Sequence, residues 1–531
     1  MRSLILTSLS TFICYTAFTN LVIGNPLISL LPKLSGNVIR CEVAILGAGF
    51  AGTYAAYELA EQYGPRLCLI EQNERFGGRI YDVSAEPGGP VFGVGALRVT
   101  SAQFTMLNLS QRLGMKLEVQ ESDVELLKVR GEHFYRDITN KRSDSKKMCE
   151  TVFRNLNCSL GNSTETDMDL LALLVQTYLQ NRTVVSHYAD FPTYIQSMFG
   201  DEGLAFIRES IRYNSPFTSV SSQGILEFFI NEFRDMGLDP ERYYPAGGMS
   251  QYIIKMLDHA KRHNVKFHLN HTVHSIDYSD SDYRFIISTD KHKILAGRVL
   301  CAIDPYHFRM LKGNVALKIQ AAEEFNMIVP KQLAIVTAWW RERWWERSKF
   351  YRNLSRVVSH ENCFNTMDIP TFPYGRDQNV TRAVYDDGAC VELWKMFAQT
   401  FPEKKDLLKK TVVSSLQLLF TDIVVPEPWE LHIYVHENAW HFQIPKSNLT
   451  NDQIFKWSHR PLPNNPKFSL IGEGYNLDFT AWCDGALKST MHVLTKFYGF
   501  NFPCLYDVGS PAICPNMTRV RMRASYASLF G

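Results

Sequence analysis

The sequence predicts an α/β protein: a discontinuous, Rossmann-like dinucleotide-binding domain, interrupted by a mixed-sheet domain and a helical lobe. Three observations predict it. Residues 41–71 place a strand, a G-x-G-x-x-G turn, a helix of small residues and a second strand ending in an acid in immediate succession. Residues 468–486 place another strand, Gly472-Glu473 and a Gly485-Ala486 helix start near the other end. Between them, strand-like and glycine-turn stretches at 241–330 alternate with a helical region at 150–240 and an alternating apolar and polar region at 331–460.

The chain has 531 residues, enough for two or three cores, with 45% hydrophobic and 21% charged residues and a net charge of +2. Its one basic cluster, Lys141, Arg142, Lys146 and Lys147, is interrupted by Ser and Asp, so no nucleic-acid partner is expected. At the N-terminus a lone Arg2 precedes "LILTSLSTFICYTAF", too short and too rich in Ser and Thr for a membrane span. Residues 1–25 are therefore read as a cleaved signal peptide, and no transmembrane anchor is expected in the mature chain.

Nine Asn-x-Ser/Thr sequons, at Asn108, Asn157, Asn162, Asn181, Asn270, Asn353, Asn379, Asn448 and Asn516, agree with a secreted, N-glycosylated protein. Of the eleven cysteines, Cys14 leaves with the signal. Cys149 with Cys158, Cys363 with Cys390 and Cys504 with Cys514 are near enough in sequence to pair, although spacing does not fix connectivity. Cys68 and Cys301 lie in apolar strand-like runs and are expected as buried free thiols.

The first strand, Val43 to Leu46, feeds Gly47, Ala48, Gly49, Phe50, Ala51 and Gly52. Side chains at Gly47 and Gly49 would obstruct a pyrophosphate, while Gly52 lets the following helix lie on the strand and offer its N–H groups to that anion. The run "RLCLI" ends in Glu71, nineteen residues past Gly52, where a carboxylate accepts hydrogen bonds from ribose hydroxyls. "ERFGGRI" follows, bringing Gly78 and Arg79 to the same anion. This stretch resembles the second motif of the flavin amine oxidase family, which implies FAD, held noncovalently because Cys483 lacks the context of the family's covalent attachment.

The far end agrees with that resemblance. Gly472, Glu473, Trp482, Gly485 and Ala486 are similar to the family's Gly-Glu, aromatic and Gly-Ala pattern, in which the acid meets the ribityl chain and the helix start faces the flavin ring. "YYPAGGMSQYIIKML" resembles the family's Pro-x-Gly-Gly-Met segment, and Val273 in "VKFHLNHTVHSIDY" matches the backbone contact to adenine. "HKILAGRVLCAIDP" is expected to return as a strand with a β-turn at Asp304-Pro305. The fold implied is of the glutathione-reductase/amine-oxidase type. The FAD-binding domain spans 38–100, 241–330 and 461–500; the substrate domain 101–149 and 331–460; the helical domain 150–240; and a tail 501–531.

Within the inserted regions, Met168, Leu171, Leu174, Val175, Tyr178 and Leu179 share one helix face, whereas "QLAIVTAWW" and "ACVELWKMF" read as strands of a covering sheet. The Trp339, Trp340, Trp344 and Trp345 cluster reads as core or pocket wall.

"FGVGALRVT", residues 92–100, carries Arg98 with no acid in the run to pair with it. Gly95, Ala96, Leu97 and Arg98 resemble the Gly-x-Met-Arg segment of L-amino-acid oxidases, which implies that Arg98 takes the substrate carboxylate beside the flavin. Tyr374, in "NTMDIPTFPYGRD", resembles the family's carboxylate-binding tyrosine, and Trp482 is a further substrate contact. Lys331 is the candidate for the family lysine that holds a water near the flavin.

The activity implied is oxidative deamination of an L-amino acid by a secreted oxidase, with molecular oxygen as second substrate and hydrogen peroxide, ammonia and a 2-oxo acid as products, suited to an antimicrobial or toxic role. An amine or polyamine oxidase, and a secreted FAD-binding protein without oxidase activity, stand as alternatives. No metal-ligand spacing is present, and a homodimer is one assembly left open.

Overall fold

The computed structural model describes residues 38–502 except 90, 161–163, 237–240, 362 and 372–378. The signal region, Tyr374, the Cys504 and Cys514 pair, and the sequons at Asn162 and Asn516 lie outside the described residues.

A seven-stranded sheet organises the dinucleotide-binding part. Strand Ile39–Leu46 runs parallel to Leu67–Ile70 on one side and to Lys293–Cys301 on the other, and Lys266–His268 extends the sheet beyond Leu67–Ile70. The hairpin strands Arg284–Thr289 and Val273–Ser279 add antiparallel to Lys293–Cys301, and Phe468–Leu470 joins its far end in parallel. Chain from residues 39–70, 266–301 and 468–470 thus closes one sheet.

Val43, Ala44, Ile45 and Leu46 are all fully buried, as a parallel strand covered on both faces requires. Helix Phe50–Tyr63 lies on the sheet through Ala51, Tyr54, Ala55, Ala56 and Leu59, and helix Cys483–Tyr498 packs beside it. Gly52 sets the depth of that packing: a Cβ there would lie 1.9 Å from the Gly47 carbonyl oxygen.

A second, eight-stranded sheet is mostly antiparallel. Its long strands Ile328–Trp339 and Glu430–Gln443 pair along their length, and Val380–Asp386, Asn365–Asp368, Leu354–Ser359 and Val124–Val129 continue it. The tryptophan cluster is core: Trp340, Trp344 and Trp345 are buried in edge-to-face contact, and Trp344 meets Phe420 in the same way. A helical lobe stands apart in sequence, with Leu171, Leu174, Val175 and Tyr178 of helix Thr166–Gln180 in one apolar cluster with Phe191, Tyr194 and Phe206.

Three expectations need correction. "ACVELWKMF" forms helix Val391–Gln399 rather than a strand, because Val391, Trp394 and Phe397 recur every third residue and meet the core together. Asp304-Pro305 is no β-turn: Asp304 caps the short helix Pro305–Phe308 by accepting a hydrogen bond from the His307 N–H. Cys68 is not a free thiol but is bonded to Cys41 of the neighbouring strand, while the Cys149–Cys158 and Cys363–Cys390 pairs form as expected and Cys301 is free and buried.

The Cys41–Cys68 bond closes a loop of 27 residues that contains the whole first helix. Chain-entropy arguments give such a loop about 3.5 kcal/mol. The double variant Cys41→Ala, Cys68→Ala is therefore expected to unfold several degrees lower in a calorimetric scan, whereas an unchanged midpoint would contradict the bond.

Candidate active site

Between the two sheets lies a cavity of about 910 Å³. One end is formed by the glycine turn and by Glu71, Gly78, Arg79, Val273, Gly472 and Glu473. Glu71, at the C-terminal end of strand Leu67–Ile70, is fixed on the backbone: its carboxylate accepts from the Ala48 N–H at 2.8 Å and from the Asn73 N–H at 3.0 Å. Helix Phe50–Tyr63 starts at Gly49 with no side-chain cap, so its first N–H groups are left for an anion. A Cβ on Gly49 or Gly472 would meet nothing within 4 Å, which marks open space beside the backbone.

Arg79 donates to the Ala439 carbonyl at 2.7 Å and forms an ion pair with Glu473. Burial alone would lower the Arg79 guanidinium, but the charges of Glu473 and Asp304 outweigh it and raise it. Burial pushes the Glu473 carboxyl up, yet Arg79 and His441 hold it well below the usual carboxylate range. Glu473 also accepts from the Thr480 hydroxyl at 2.7 Å and the Ala481 N–H at 3.1 Å, which locks the loop ahead of helix Cys483–Tyr498. Trp482 precedes that helix and lines the cavity, as does Ala486.

The segment carrying Arg98 is clamped from three sides. Strand Val91–Gly93 pairs with Asp82–Ser84, and strand Val99–Thr100 pairs with Arg242–Pro245. The Ala96 N–H donates to the Arg79 carbonyl at 3.1 Å, and Arg382 donates to the carbonyls of Gly93 and Gly95. A Cβ on Gly95 would lie 1.8 Å from the Arg79 carbonyl oxygen, so only glycine lets the two segments stack. Gly95, Ala96, Leu97 and Arg98 all line the cavity. Among the described residues the Arg98 guanidinium has no ion pair and no hydrogen bond, although its charge is felt by Asp368.

The cavity therefore gathers Gly47, Gly49, Phe50, Ala51, Glu71, Gly78, Arg79, Val273, Gly472, Glu473, Trp482 and Ala486 together with the Arg98 segment. Ala48, Gly52 and Gly485 do not line it. Ala48 offers its N–H to Glu71, and Gly52 and Gly485 are packing positions, since a Cβ on Gly485 would lie 2.3 Å from the Phe479 carbonyl oxygen.

Lys331 also lies off the cavity lining, and the expectation that it serves there is corrected by the strand it occupies. Leu333, two residues on, is the side chain of strand Ile328–Trp339 that reaches the cavity. The pairing register shifts between these two residues, with Lys331 opposite Trp440 and Leu333 opposite His436. The intervening Glu437, Asn438 and Ala439 bulge from the partner strand and form part of the cavity wall.

Sequence reasoning missed several lining residues: Arg212, Arg242, Arg382, Tyr213, Tyr385 and Trp440. Tyr213 meets the Trp440 ring at 5.9 Å edge-on, and Tyr385 stacks on it at 6.3 Å. For Arg212 the sequence carries no signal like that of Arg98, since Glu209 lies three residues before it.

A mixed sheet with a parallel centre that opens onto a cavity, with a fixed acid at the end of its second strand and an uncapped helix start, is the architecture of a dinucleotide-binding oxidoreductase. The chain belongs to the flavin containing amine oxidoreductase family, whose sequence profile matches residues 50–492. It is similar to the L-amino-acid oxidase of Pseudechis australis, 31% identical over 107 residues that cover 20% of this chain and 19% of that protein. It is also similar to the L-amino-acid oxidase of Mus musculus, 34% identical over 76 residues covering 14% of this chain and 12% of that one. A flavin-dependent L-tryptophan oxidase of Lentzea aerocolonigenes is 32% identical over 82 residues, 15% of this chain and 17% of that one. The chain thus matches less than a fifth of the length of these relatives, 19%, 12% and 17%.

Solved structures of putrescine oxidase share the fold. A variant with redesigned cofactor binding superposes with a TM-score of 0.60 at 14% identity, and the wild type bound to putrescine with 0.59 at 15%, each covering 87% of this chain and all, 100%, of the other. The cofactor is FAD, and the residues fit it: open glycines, uncapped N–H groups and the Arg79 guanidinium suit its diphosphate, and Glu71 suits its ribose. Among the described residues no helix is long and apolar enough to cross a membrane.

Proposed function

We propose that the chain is a secreted oxidase that deaminates L-amino acids to 2-oxo acids, releasing ammonia and hydrogen peroxide. The observation that carries this reading is Arg98, a guanidinium lining the cavity with neither an ion pair nor a hydrogen bond among the described residues. Arg98 is half-buried at the cavity wall, where a bound ligand would cut it off from water, and a substrate carboxylate supplies the missing charge in the bidentate geometry Arg favours. A plain amine has no such group to offer.

FAD, when bound, supplies the two-electron oxidation and the reaction with oxygen. This chain's residues then orient the substrate. Arg98 fixes the carboxylate end, and Tyr213, Tyr385 and Trp440 form an aromatic wall that excludes water. Burial first, and then the neighbouring Tyr213, raise the Tyr385 phenol well above its ordinary range, so it stays protonated and available as a hydrogen-bond donor at neutral pH. Noncovalent attachment of FAD and a substrate contact by Trp482 belong to the same proposal.

Secretion draws support from three disulfides, bonds that persist in oxidising compartments, and from the exposed sequon residues Asn157, Asn181, Asn270, Asn353 and Asn448. The test is a peroxide assay of the purified full chain across L-amino acids, D-amino acids and amines, with its visible spectrum recorded alongside. Peroxide from L-amino acids by a yellow protein is the expected result. A yellow protein that oxidises only amines, or nothing, would contradict the substrate reading.

A further inference from the structure

Arg98 is not the only guanidinium at its end of the cavity. Arg136, Arg212, Arg242 and Arg382 line the same space, and the buried Arg356 stands behind them. The acids that face them come from three elements and from the segment just ahead of strand Val124–Val129. Arg356 bridges Glu125 and Asp368, Arg136 pairs with Asp167 and at 3.7 Å with Glu125, Arg242 pairs with Asp123, and Arg382 lies 3.9 Å from Asp368. Among the described residues these six guanidiniums face those four carboxylates and, at longer range, Glu165 beside Arg136, and the two without an ion pair are Arg98 and Arg212. Among the described residues the Arg212 guanidinium has no ion pair and no hydrogen bond, while the Arg212 carbonyl accepts from the Asn365 side-chain amide at 3.0 Å; the guanidinium lies 4.5 Å from the centre of the Tyr213 ring, which holds its plane.

The surroundings agree that positive charge is in excess here. Burial, then the charge of Arg356, lowers Arg212, with Arg98 adding to the effect, and burial followed by Arg98 and Arg356 lowers Arg242 strongly. Asp368 is held down at about 2, its burial outweighed by Arg356, Arg382, Arg212 and Arg98. Arginine stays charged under these shifts, so the excess must be met by whatever occupies the cavity.

We propose that this site selects L-amino acids with a second carboxylate on the side chain, Arg98 taking the α-carboxylate and Arg212 the distal one. The inference rests on the L-amino-acid reading above. An amino acid reacts with its amine neutral, so a dicarboxylic substrate then carries two negative charges, matching the two unpaired guanidiniums. A neutral side chain leaves one guanidinium desolvated and uncompensated, and a basic side chain adds a third positive charge, both unfavourable in a closed cavity. Arg212 is thus a specificity-determining residue.

The test is steady-state peroxide production by the FAD-loaded full chain on L-aspartate, L-glutamate, L-leucine, L-phenylalanine and L-lysine. At least one dicarboxylic substrate is expected to exceed L-leucine in kcat/KM by about tenfold or more, the effect of one charge-assisted hydrogen-bonded pair, with L-lysine poorest. Arg212→Met is expected to erase that preference mainly through KM, and Arg212→Lys to restore part of it. Neutral or basic L-amino acids turned over as well as the dicarboxylic ones would overturn the inference and leave the oxidase reading standing. Oxidation of amines alone, or no turnover, would remove both.

Should Arg212→Met fail to fold, titration of the wild-type flavin absorbance with glutarate and with butyrate decides the matter. About tenfold tighter binding of glutarate is expected from the same pair, and equal binding would refute the assignment.

Discussion

Arg98→Met is expected to lower kcat/KM for L-amino acids by about 100-fold or more, because removing one member of a desolvated, hydrogen-bonded charge pair costs about 2–5 kcal/mol. The effect should fall mainly on KM, since the carboxylate is bound equally in the ground state and in the transition state. Arg98→Lys should recover part of the loss and no more, for an ammonium cannot offer the planar fork. Steady-state kinetics normalised to flavin content provide the check. Kinetics unchanged by Arg98→Met would mean that the guanidinium lines the cavity without meeting the substrate.

The second large effect is structural and concerns two glycines three residues apart. A Cβ on Gly52 would lie 1.9 Å from the Gly47 carbonyl oxygen, a backbone atom that cannot rotate away. Gly52→Ala should therefore force helix Phe50–Tyr63 off strand Ile39–Leu46, costing about 3 kcal/mol or more as overpacking and abolishing flavin retention. Gly49→Ala places its Cβ where nothing lies within 4 Å, so the apoprotein should fold as before while FAD binds more weakly, the methyl group occupying the space its diphosphate needs. Thermal unfolding of both apoproteins, with visible absorbance of the reconstituted forms, separates the two. Equal loss of stability in both variants would contradict the packing role given to Gly52.

These contrasts also show what could be read from residues alone. The glycine turn, the acid at Glu71 and the Gly472-Glu473 end were legible because their physics is local: each role needs a particular backbone approach or charge at a fixed distance along the chain. Arg98 was legible for a related reason, since a cation in an apolar run with no neighbouring acid poses a question that only a ligand or a distant segment answers. Arg212 was not, because its lack of a partner depends on Glu125, Asp123, Asp167 and Asp368 already being taken by Arg356, Arg136 and Arg242.

Long-range pairing hid other features too. Cys41 and Cys68 meet because the first two strands are neighbours in the sheet, a proximity set by strand pairing rather than by any spacing of the two cysteines. Lys331 is the lysine near the position the family resemblance implies, but which residues of its strand reach the cavity depends on the partner strand, where Glu437, Asn438 and Ala439 bulge between the residues opposite Lys331 and Leu333. "ACVELWKMF" satisfies a strand period and a helix period at once, and its length, with Val391, Trp394 and Phe397 on one face, favours the helix.

The central claim is that one guanidinium makes this cavity a site for amino acids rather than amines. It is tested most directly by giving the wild-type holoenzyme an L-amino acid and the amine formed by its decarboxylation, molecules that differ only in the carboxylate, and measuring peroxide from each. The account predicts turnover of the amino acid with kcat/KM about 100-fold or more above that of the amine, the worth of one desolvated charge pair. Equal or faster oxidation of the amine would contradict it.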